Sequence, residues 1–239
     1  MIGILGGMGP AATVDFIGKL IRLTPAGREQ DHLPLVVVSD PRVPDRIAPI
    51  LEGAGPSPLP AMRAGIRRLE RAGAECIAIP CHTAHAWYDQ LASTTALPIL
   101  HIVDAALAEL ERLAVPKGPL GLLATRATLQ AGLYQERLAA AGHPALLPAP
   151  AVMAECVLPA IALVKQDRAA DAAPLVRRAV EHLTAAGAAR VLLACTELPI
   201  ALAAAPHPAC IDATEALARS CLAWWQARQS SATPADTGF

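Results

Sequence analysis

The fold is decided by the stretch Ile77-Ala78-Ile79-Pro80-Cys81-His82-Thr83-Ala84-His85, in which an apolar run ends in a cysteine. A helix-like sequence follows directly. The pattern therefore predicts that Cys81 lies at the C-terminal end of a buried strand and at the N-terminus of a helix. Open α/β sheets bind their ligands at this position. A helix N-terminus also favours thiolate over thiol, so we expect a reactive Cys81.

A second stretch repeats this arrangement. The apolar run Val191-Leu192-Leu193-Ala194 ends at Cys195, and the polar pair Thr196-Glu197 follows. Gly73 and Gly187 each lie eight residues before the cysteine of their stretch. Two half-molecules thus present a thiol at the tip of a strand. A pseudo-twofold relation between the halves would aim the two thiols at one another across a cleft.

Composition limits the class of protein. The chain has 239 residues, enough for one large domain or two small ones, and 54% hydrophobic residues can bury a sizeable core. We see no apolar run long enough to span a membrane and no basic leader at the N-terminus. The net charge of −1 argues against broad nucleic-acid binding. Six cysteines without a small secreted disulfide pattern favour a cytoplasmic enzyme with free thiols.

Strand and helix patterns alternate along the whole chain, with short connections. This predicts an α/β fold with parallel sheets and helices on both faces. Predicted strands are 1–5, 35–38, 77–79, 97–102, 121–125, 145–147, 191–194 and 209–212, of which 35–38 is expected to be buried. Predicted helices are 11–23, 61–72, from Cys81 to about 92, 103–113, 129–141, 155–164, 172–186 and 213–226. The turn 116–119 separates the halves, and 230–239 are predicted to be disordered.

A glycine loop, Gly6-Gly7-Met8-Gly9-Pro10, follows the first strand. It formally matches a dinucleotide fingerprint, Gly7-x-Gly9-x-x-Ala12. However, Pro10 interrupts the motif and no acidic residue ends the next strand, so the match is weak. We interpret the loop as a tight turn whose missing side chains leave room for a small substrate.

Two cations occupy related positions in the two halves. Arg46 lies in the loop beyond the strand 35–38, where a guanidinium can bind a carboxylate. Lys165 follows it by 119 residues, close to the 118-residue offset that aligns Gly3 with Gly121. Each half therefore contributes one cation to the shared cleft. Thr125 and Thr128 lie at the next strand tip, as helix caps or as site residues.

Two facing thiols suit racemisation, which needs a base on one face of the α-carbon and an acid on the other. A thiol with a pKa near 8.5 can serve as either when its neighbours tune it. Backbone N–H groups and the hydroxyls of Thr83 and Thr196 would hold the substrate carboxylate. No lysine motif for pyridoxal phosphate is evident, so the thiols would act alone.

Three other interpretations compete. Both thiols could be ordinary buried cysteines, the role that we assign to Cys76, Cys156, Cys210 and Cys221. Cys81, His82 and His85 could bind zinc, although three ligands within five residues fit its geometry poorly. A Cys-His nucleophile is also possible, but it would leave Cys195 without a role.

The motifs resemble those of the aspartate/glutamate racemase family. Three segments carry the likeness: Gly6-Gly7-Met8-Gly9-Pro10-Ala11-Ala12-Thr13, Pro80-Cys81-His82-Thr83-Ala84-His85 and Cys195-Thr196-Glu197-Leu198-Pro199. The resemblance covers nearly the whole chain. It implies two similar α/β domains related by a pseudo-twofold, with the site in the cleft between them and no cofactor. It also implies discontinuous domains, 1–102 plus 211–239 and 103–210, and a homodimer.

The resemblance also implies roles for single residues. Cys81 and Cys195 match the catalytic pair, and no metal is expected. The substrate-binding positions are Met8, Arg46, His82, Thr83, Thr125, Thr128, Lys165, Thr196 and Glu197. The family usually has Asn where this chain has His82. A histidine there could keep the carboxylate contact, change the substrate or alter the protonation of Cys81.

Three hypotheses follow from the sequence. The first is a cofactor-independent racemase for aspartate or glutamate, because Arg46 and Lys165 suit an acidic side chain. The second keeps the fold but changes the substrate, as in a broad-specificity amino-acid racemase or a hydantoin racemase. The third is a ligand-binding relative that exchanges no α-proton.

Overall fold

Two four-stranded parallel sheets form the framework of the molecule, for which a computed structural model describes residues 1–232. The strands of the first sheet are β1 (Ile2–Gly6), β2 (Leu35–Ser39), β3 (Cys76–Ala78) and β4 (Ile99–Leu100). Those of the second are β5 (Leu120–Ala124), β6 (Ala145–Leu146), β7 (Val191–Ala194) and β8 (Cys210–Asp212). The spatial orders β2-β1-β3-β4 and β6-β5-β7-β8 are the same, which confirms the predicted repeat.

Helices connect these strands. In the first half they are α1 (Pro10–Leu23), α2 (Ile47–Leu51), α3 (Leu59–Arg71), α4 (Tyr88–Ala92) and α5 (Ile102–Arg112). They continue with α6 (Arg126–Gln130), α7 (Gln135–Ala140), α8 (Pro150–Val152), α9 (Leu158–Lys165), α10 (Ala169–Ala185), α11 (Glu197–Ala201) and α12 (Ala213–Ala232). No helix in residues 1–232 has the length and hydropathy needed to cross a membrane.

The strand register places the cysteine stretches beside the loops that follow β1 and β5. Ile4 pairs with Ala78 in the first sheet, and Ala124 pairs with Ala194 in the second. Parallel strands carry their C-terminal ends to the same edge of a sheet. Cys81 therefore lies next to the glycine loop, and Cys195 lies next to Thr125.

The last helix joins the two halves. Helix α12 packs against α1 and α5, and one apolar core cluster contains residues of both sheets, including Ile4 and Leu192. Within this region the buried Lys19 pairs with Asp15 and, at 2.8 Å, with Asp212. Strand β8 pairs with β7, so the second sheet reaches Asp212, two residues past the predicted boundary at 210. The division into discontinuous domains stays a prediction.

The predicted helix after Cys81 is wrong in type. Residues Thr83–Trp87 form a 3₁₀ helix, and only then does α4 begin. In an α-helix the Cys81 carbonyl would accept from the backbone N–H of His85. Here the His85 ring, through Nδ1, bonds that carbonyl at 2.9 Å. The His85 N–H donates to the His82 carbonyl instead. The His85 ring thus bonds the Cys81 carbonyl in place of the His85 backbone N–H, and the α-helical hydrogen bond does not form.

Other predicted elements change in length or environment. The helix 129–141 is broken into α6 and α7 around Gly132, which has a φ of +66°. Strand β2 is half exposed because it lies at the edge of its sheet, so its predicted burial is wrong. The helix predicted at 155–164 begins at Pro150 and contains a π-helical turn. Helix α12 includes Ser230–Ala232, which corrects the predicted disorder there, and 233–239 lie outside the described residues.

The glycine loop is a close approach between two chain segments. Gly7 has a φ of +88°, and a Cβ on it would lie 2.4 Å from the backbone nitrogen of Asp40. Its N–H donates to the Thr13 hydroxyl at 2.9 Å. The loop therefore packs tightly against the segment after β2, as the predicted tight turn requires.

Gly7→Ala tests this close approach, with Gly73→Ala as its matched control. Gly73 has a φ of +86° but open space around its Cβ position. The control should lose about 1–2 kcal/mol of unfolding free energy from backbone strain. Gly7→Ala should lose a further ~1–3 kcal/mol, because its methyl group overlaps the Asp40 backbone. Urea unfolding of both variants measures the difference, and equal losses would contradict the steric account.

Candidate active site

One small cavity between the halves collects the predicted site residues. It is lined by Met8, Asp45, Arg46, Ile47, Cys81, His82, Thr83, Thr125, Lys165, Ala194, Cys195, Thr196 and Glu197. The first half contributes the loops after β1, β2 and β3, and the second half contributes those after β5 and β7 together with the end of α9. Every predicted site residue except Thr128 lines this cavity.

The two cysteines have matching environments. Cys81 is 6% exposed and Cys195 is 4% exposed, and both are free thiols. Each sulfur accepts a backbone N–H from just downstream, that of Ala84 for Cys81 and that of Glu197 for Cys195. Such N–H groups stabilise a thiolate when one forms. The repeat in the sequence is thus also a repeat of local hydrogen bonding.

Burial nevertheless dominates the thiol equilibria. It raises the pKa of Cys81 above its usual value, against the opposing effect of the Arg46 guanidinium. Burial also raises the pKa of Cys195. The Glu197 carboxylate raises the pKa of Cys195 as well, because it disfavours a second negative charge beside it. The expectation of a thiolate favoured by a helix N-terminus is wrong, since Cys81 precedes a short 3₁₀ turn and is desolvated. Burial therefore disfavours the thiolate form of both cysteines.

Glu197 is the acid closest to a thiol. The Cys195 sulfur donates to its Oε2 at 3.1 Å, and the Thr196 hydroxyl donates to the same oxygen at 2.9 Å. The Glu197 side chain is buried as well. A carboxylate in this geometry can take the proton of Cys195 and return it.

Two cations face the thiols. The guanidinium of Arg46 lies against Cys81, and its Nη atoms donate to the carbonyls of Val43, Pro44 and Met8. Its buried Nε–H has no acceptor within residues 1–232. Lys165 is exposed at the end of α9 and pairs with no acid in the described part of the chain, while its charge acts on Cys195. Both groups are available to an anionic ligand.

Three threonine hydroxyls form a triangle across the cleft. Thr83 Oγ1 lies 3.2 Å from Thr125 Oγ1 and 2.9 Å from Thr128 Oγ1, and the last two are 2.9 Å apart. Thr125 also caps α6 by accepting from the N–H of Thr128. Thr128 is fully buried behind the cavity wall. It therefore acts on the site through the other two hydroxyls.

The ring nitrogens of His82 and His85 already have protein partners. His85 bonds the Cys81 carbonyl with Nδ1 and accepts from the N–H of Ile102 with Nε2. His82 Nδ1 lies 2.7 Å from the phenol oxygen of Tyr134, and its Nε2 lies 3.5 Å from the Thr214 hydroxyl. No lone pair is free for zinc, and neither ring bonds the Cys81 sulfur. The zinc and Cys-His interpretations therefore lack the contacts that they need.

Sequence reasoning missed four residues. Asp45 lines the cavity, and its carboxylate caps α2 by accepting from the N–H groups of Ile47 and Ala48 at 2.9 Å. An acid just before a helix was the available signal. Ile47 and Ala194 line the cavity as apolar wall. Tyr134 lies behind His82, and no local pattern marks it because 129–141 looks uniformly helical.

A larger cavity of about 570 Å³ lies elsewhere, beside the buried Lys19. Its lining includes Asp15, Asp212, Glu109 and Cys210. It has one cysteine and no partner thiol, and the acids there already pair with Lys19 or with arginines. The convergence of reactive groups, not the volume, identifies the small cavity as the candidate site.

Comparison with known proteins shows which family and which fold the chain resembles. The family model for Asp/Glu/hydantoin racemase matches residues 5–221. The structure of an aspartate racemase from Picrophilus torridus is 33% identical, with a TM-score of 0.81 over 93% of each chain. A glutamate racemase from Francisella tularensis, solved with D-glutamate, has a TM-score of 0.66 at 15% identity, over 95% of this chain and 81% of its own. An identity of 15% shows only that the two proteins share a fold.

Another similar protein is named for a broader range of substrates. The broad-specificity amino-acid racemase RacX of Bacillus subtilis is 33% identical over 147 residues. The match covers 60% of this chain and 62% of that protein, somewhat less than two thirds of its length.

Replacing Glu197 with glutamine should lower the pKa of Cys195. The variant removes the negative charge that disfavours the thiolate, so more thiolate exists at any given pH. The pH dependence of iodoacetamide labelling, resolved by peptide mass spectrometry, measures this change. Cys81 in the same sample is the internal reference, because Glu197 acts on it more weakly than burial and Arg46 do. An unchanged or higher labelling midpoint at Cys195 would contradict the assigned cause.

Proposed function

The chain belongs to the Asp/Glu/hydantoin racemase family, and on this premise we propose that it racemises aspartate or glutamate with Cys81 and Cys195 as its two acid-base groups. The observation that carries the proposal is the pair of buried thiols brought into one cavity from opposite halves. Each follows an inner strand of its sheet, and each accepts a backbone N–H. An α-carbon between them would meet a sulfur on either face.

Proton transfer at the α-carbon requires one thiolate and one thiol. In one direction Cys195, after giving its proton to Glu197, removes the α-proton. Cys81 then donates its own proton to the opposite face, and the reverse reaction exchanges the roles. The product complex holds Cys81 as the thiolate, which the positive charge of Arg46 stabilises. Exchange of protons with water and Glu197 restores the starting state.

The substrate carboxylates have separate candidate ligands. The hydroxyls of Thr83 and Thr125 line the cavity and can bind the α-carboxylate, on which negative charge grows as the α-proton leaves. Thr196 lines the same cavity, but its hydroxyl proton is donated to Glu197. Arg46 and Lys165 are suited to the side-chain carboxylate, because one has an unpaired buried N–H and the other has no acidic partner in residues 1–232. Met8 closes the same cavity from the glycine loop.

Two features of the assembled protein stay predictions. A homodimer is expected from the family resemblance. A cytoplasmic location is expected from the six free cysteines, since thiols remain reduced in that compartment.

The wild-type protein should exchange the α-proton of its substrate with solvent while the opposite enantiomer appears. The assay incubates purified protein with L-aspartate or L-glutamate in deuterated water, without added pyridoxal phosphate. Mass and chirality are followed together. Exchange with neutral amino acids or with hydantoins, but not with aspartate or glutamate, would favour the broader-specificity alternative. Binding without exchange on any of these would indicate a non-catalytic relative.

Cys81→Ala and Cys195→Ala should each reduce racemisation at least ~10²-fold, because one face loses its proton carrier. Cys210→Ala is the matched control, since Cys210 is a partly exposed free thiol that does not line the site. Its turnover should match that of the wild-type protein. Near-normal turnover in either site variant would refute the two-base assignment.

Arg46→Gln and Lys165→Gln should each weaken the preference for acidic substrates. We expect kcat/KM for aspartate to fall ~10-fold or more in both variants for a lost charged hydrogen bond. The value for asparagine should change much less in Lys165→Gln. In Arg46→Gln it should also fall, but less than that for aspartate, because Arg46 stabilises the Cys81 thiolate as well. The ratio of the two substrates, measured for each variant, isolates recognition of the side-chain charge. Equal losses on both substrates would assign the residue to general positioning.

A further inference from the structure

Tyr134, in the second half, contacts a residue of the first-half loop that carries Cys81. It is 0% exposed and occupies the break between α6 and α7. Its phenol oxygen lies 2.7 Å from Nδ1 of His82, which is itself 3% exposed and lines the site. The contact therefore ties the chain segment that carries Cys81 and Thr83 to the opposite half of the molecule.

The direction of this hydrogen bond follows from the partners available. The Tyr134 hydroxyl has no other hydrogen-bond partner within residues 1–232, so its proton would be unpaired and buried unless it is donated to Nδ1. His82 Nδ1 is then an acceptor, and the ring carries its proton on Nε2. That N–H points to the Thr214 hydroxyl at 3.5 Å. The arrangement selects one neutral tautomer.

The surrounding charges agree with a neutral ring. Burial, and then the neighbouring His85 ring and the positive charge of Lys19, hold the pKa of His82 well below its usual value. Burial, together with Asp212 and Cys195, raises the pKa of Tyr134 well above its usual value, so the phenol keeps its proton. Lys19 belongs to α1, His85 to the 3₁₀ turn and Asp212 to β8. Cys195 follows β7, and Arg137 of α7 opposes the rise in the pKa of Tyr134.

We propose that Tyr134 is a positioning residue of the active site, which fixes His82 as a neutral wall of the substrate cavity by donating its phenol proton to Nδ1. Both ring nitrogens of His82 are engaged by protein, so the ring does not bind the substrate carboxylate. That contact falls to the threonine hydroxyls and nearby backbone N–H groups. The inference rests on the proposed racemase function and assigns how one wall of that site is held.

The same geometry explains how the chain accommodates histidine at position 82. In an asparagine, Oδ1 can occupy the place of the histidine Nδ1, because both atoms are bonded to Cγ. The side chain introduced by His82→Asn could therefore accept the same Tyr134 proton, whereas that introduced by His82→Leu could not. The two substitutions thus form a matched pair that separates hydrogen bonding from side-chain bulk.

Nuclear magnetic resonance of protein labelled with ¹⁵N in its histidine rings tests the tautomer directly. Wild-type His82 should show a protonated Nε2 and an acceptor Nδ1 at neutral pH. Tyr134→Phe should remove this fixed state and give a mixture of the two neutral tautomers, because the burial that keeps the ring uncharged remains. Tyr88→Phe is the control, since Tyr88 is the other of the two tyrosines and donates to the Ile99 carbonyl. A wild-type signal with protonated Nδ1, or an unchanged Tyr134→Phe spectrum, would overturn the proposal.

A double-mutant cycle tests the functional consequence. Tyr134→Phe and His82→Leu should each lower kcat/KM about 10-fold, and together they should lose little more than either alone. Tyr134→Phe/Tyr88→Phe should behave as Tyr134→Phe, and His82→Asn should retain most activity. Losses that multiply to about 100-fold in the first pair would show independent roles and refute the coupling. Far-ultraviolet circular dichroism of every variant identifies any that fail to fold.

The two proposals fail in different ways. A wild-type protein that exchanges no α-proton on any substrate would refute the racemase function, and with it the kinetic part of this inference. The ¹⁵N spectra would still decide whether Tyr134 sets the His82 tautomer. Normal racemisation in Tyr134→Phe, with the tautomer changed, would refute the positioning role alone.

Discussion

The C-terminal ends of β3 and β7 open onto the same cavity, and the chemistry of the site depends on this meeting of two strands. Each strand delivers a cysteine into a region with little water. A buried thiol resists ionisation, so neighbouring charges and hydrogen-bond donors must stabilise the thiolate when it forms. Arg46 lies against Cys81, and Glu197 bonds Cys195. The pseudo-symmetric backbone thus carries an asymmetric set of charged partners.

In the proposed mechanism, this asymmetry gives the two halves different roles at the α-carbon. Arg46 on the Cys81 side would stabilise a negatively charged sulfur, and Glu197 on the Cys195 side would accept the thiol proton. Neither half can assemble the site alone, since the hydroxyl triangle and the Tyr134–His82 bond also join residues from both. Helix α12 packs on α1 and α5 and holds the halves in the relation that these short contacts need.

Much of the fold could be predicted because the local sequence patterns agree with the strands and helices that form. The apolar runs before Cys81 and Cys195, at matching distances from a glycine, identified the central strands and the internal repeat. The break between α6 and α7 was not readable, since every residue from 129 to 141 except Gly132 is compatible with a helix. The raised pKa of Cys81 was also missed, because helix position is local information whereas depth of burial depends on the whole chain. Tyr134 was missed for the same reason.

The hydroxyl triangle of Thr83, Thr125 and Thr128 has a consequence for how charge can be followed during a reaction. Three mutually bonded hydroxyls can donate their protons around the triangle in either direction, and Thr83 or Thr125 can turn its O–H into the cavity without moving a carbon atom. Their hydrogen-bond polarity is therefore switchable on the timescale of bond rotation. As electron density shifts onto a bound carboxylate, such a cluster can reorient its dipoles while the backbone stays rigid.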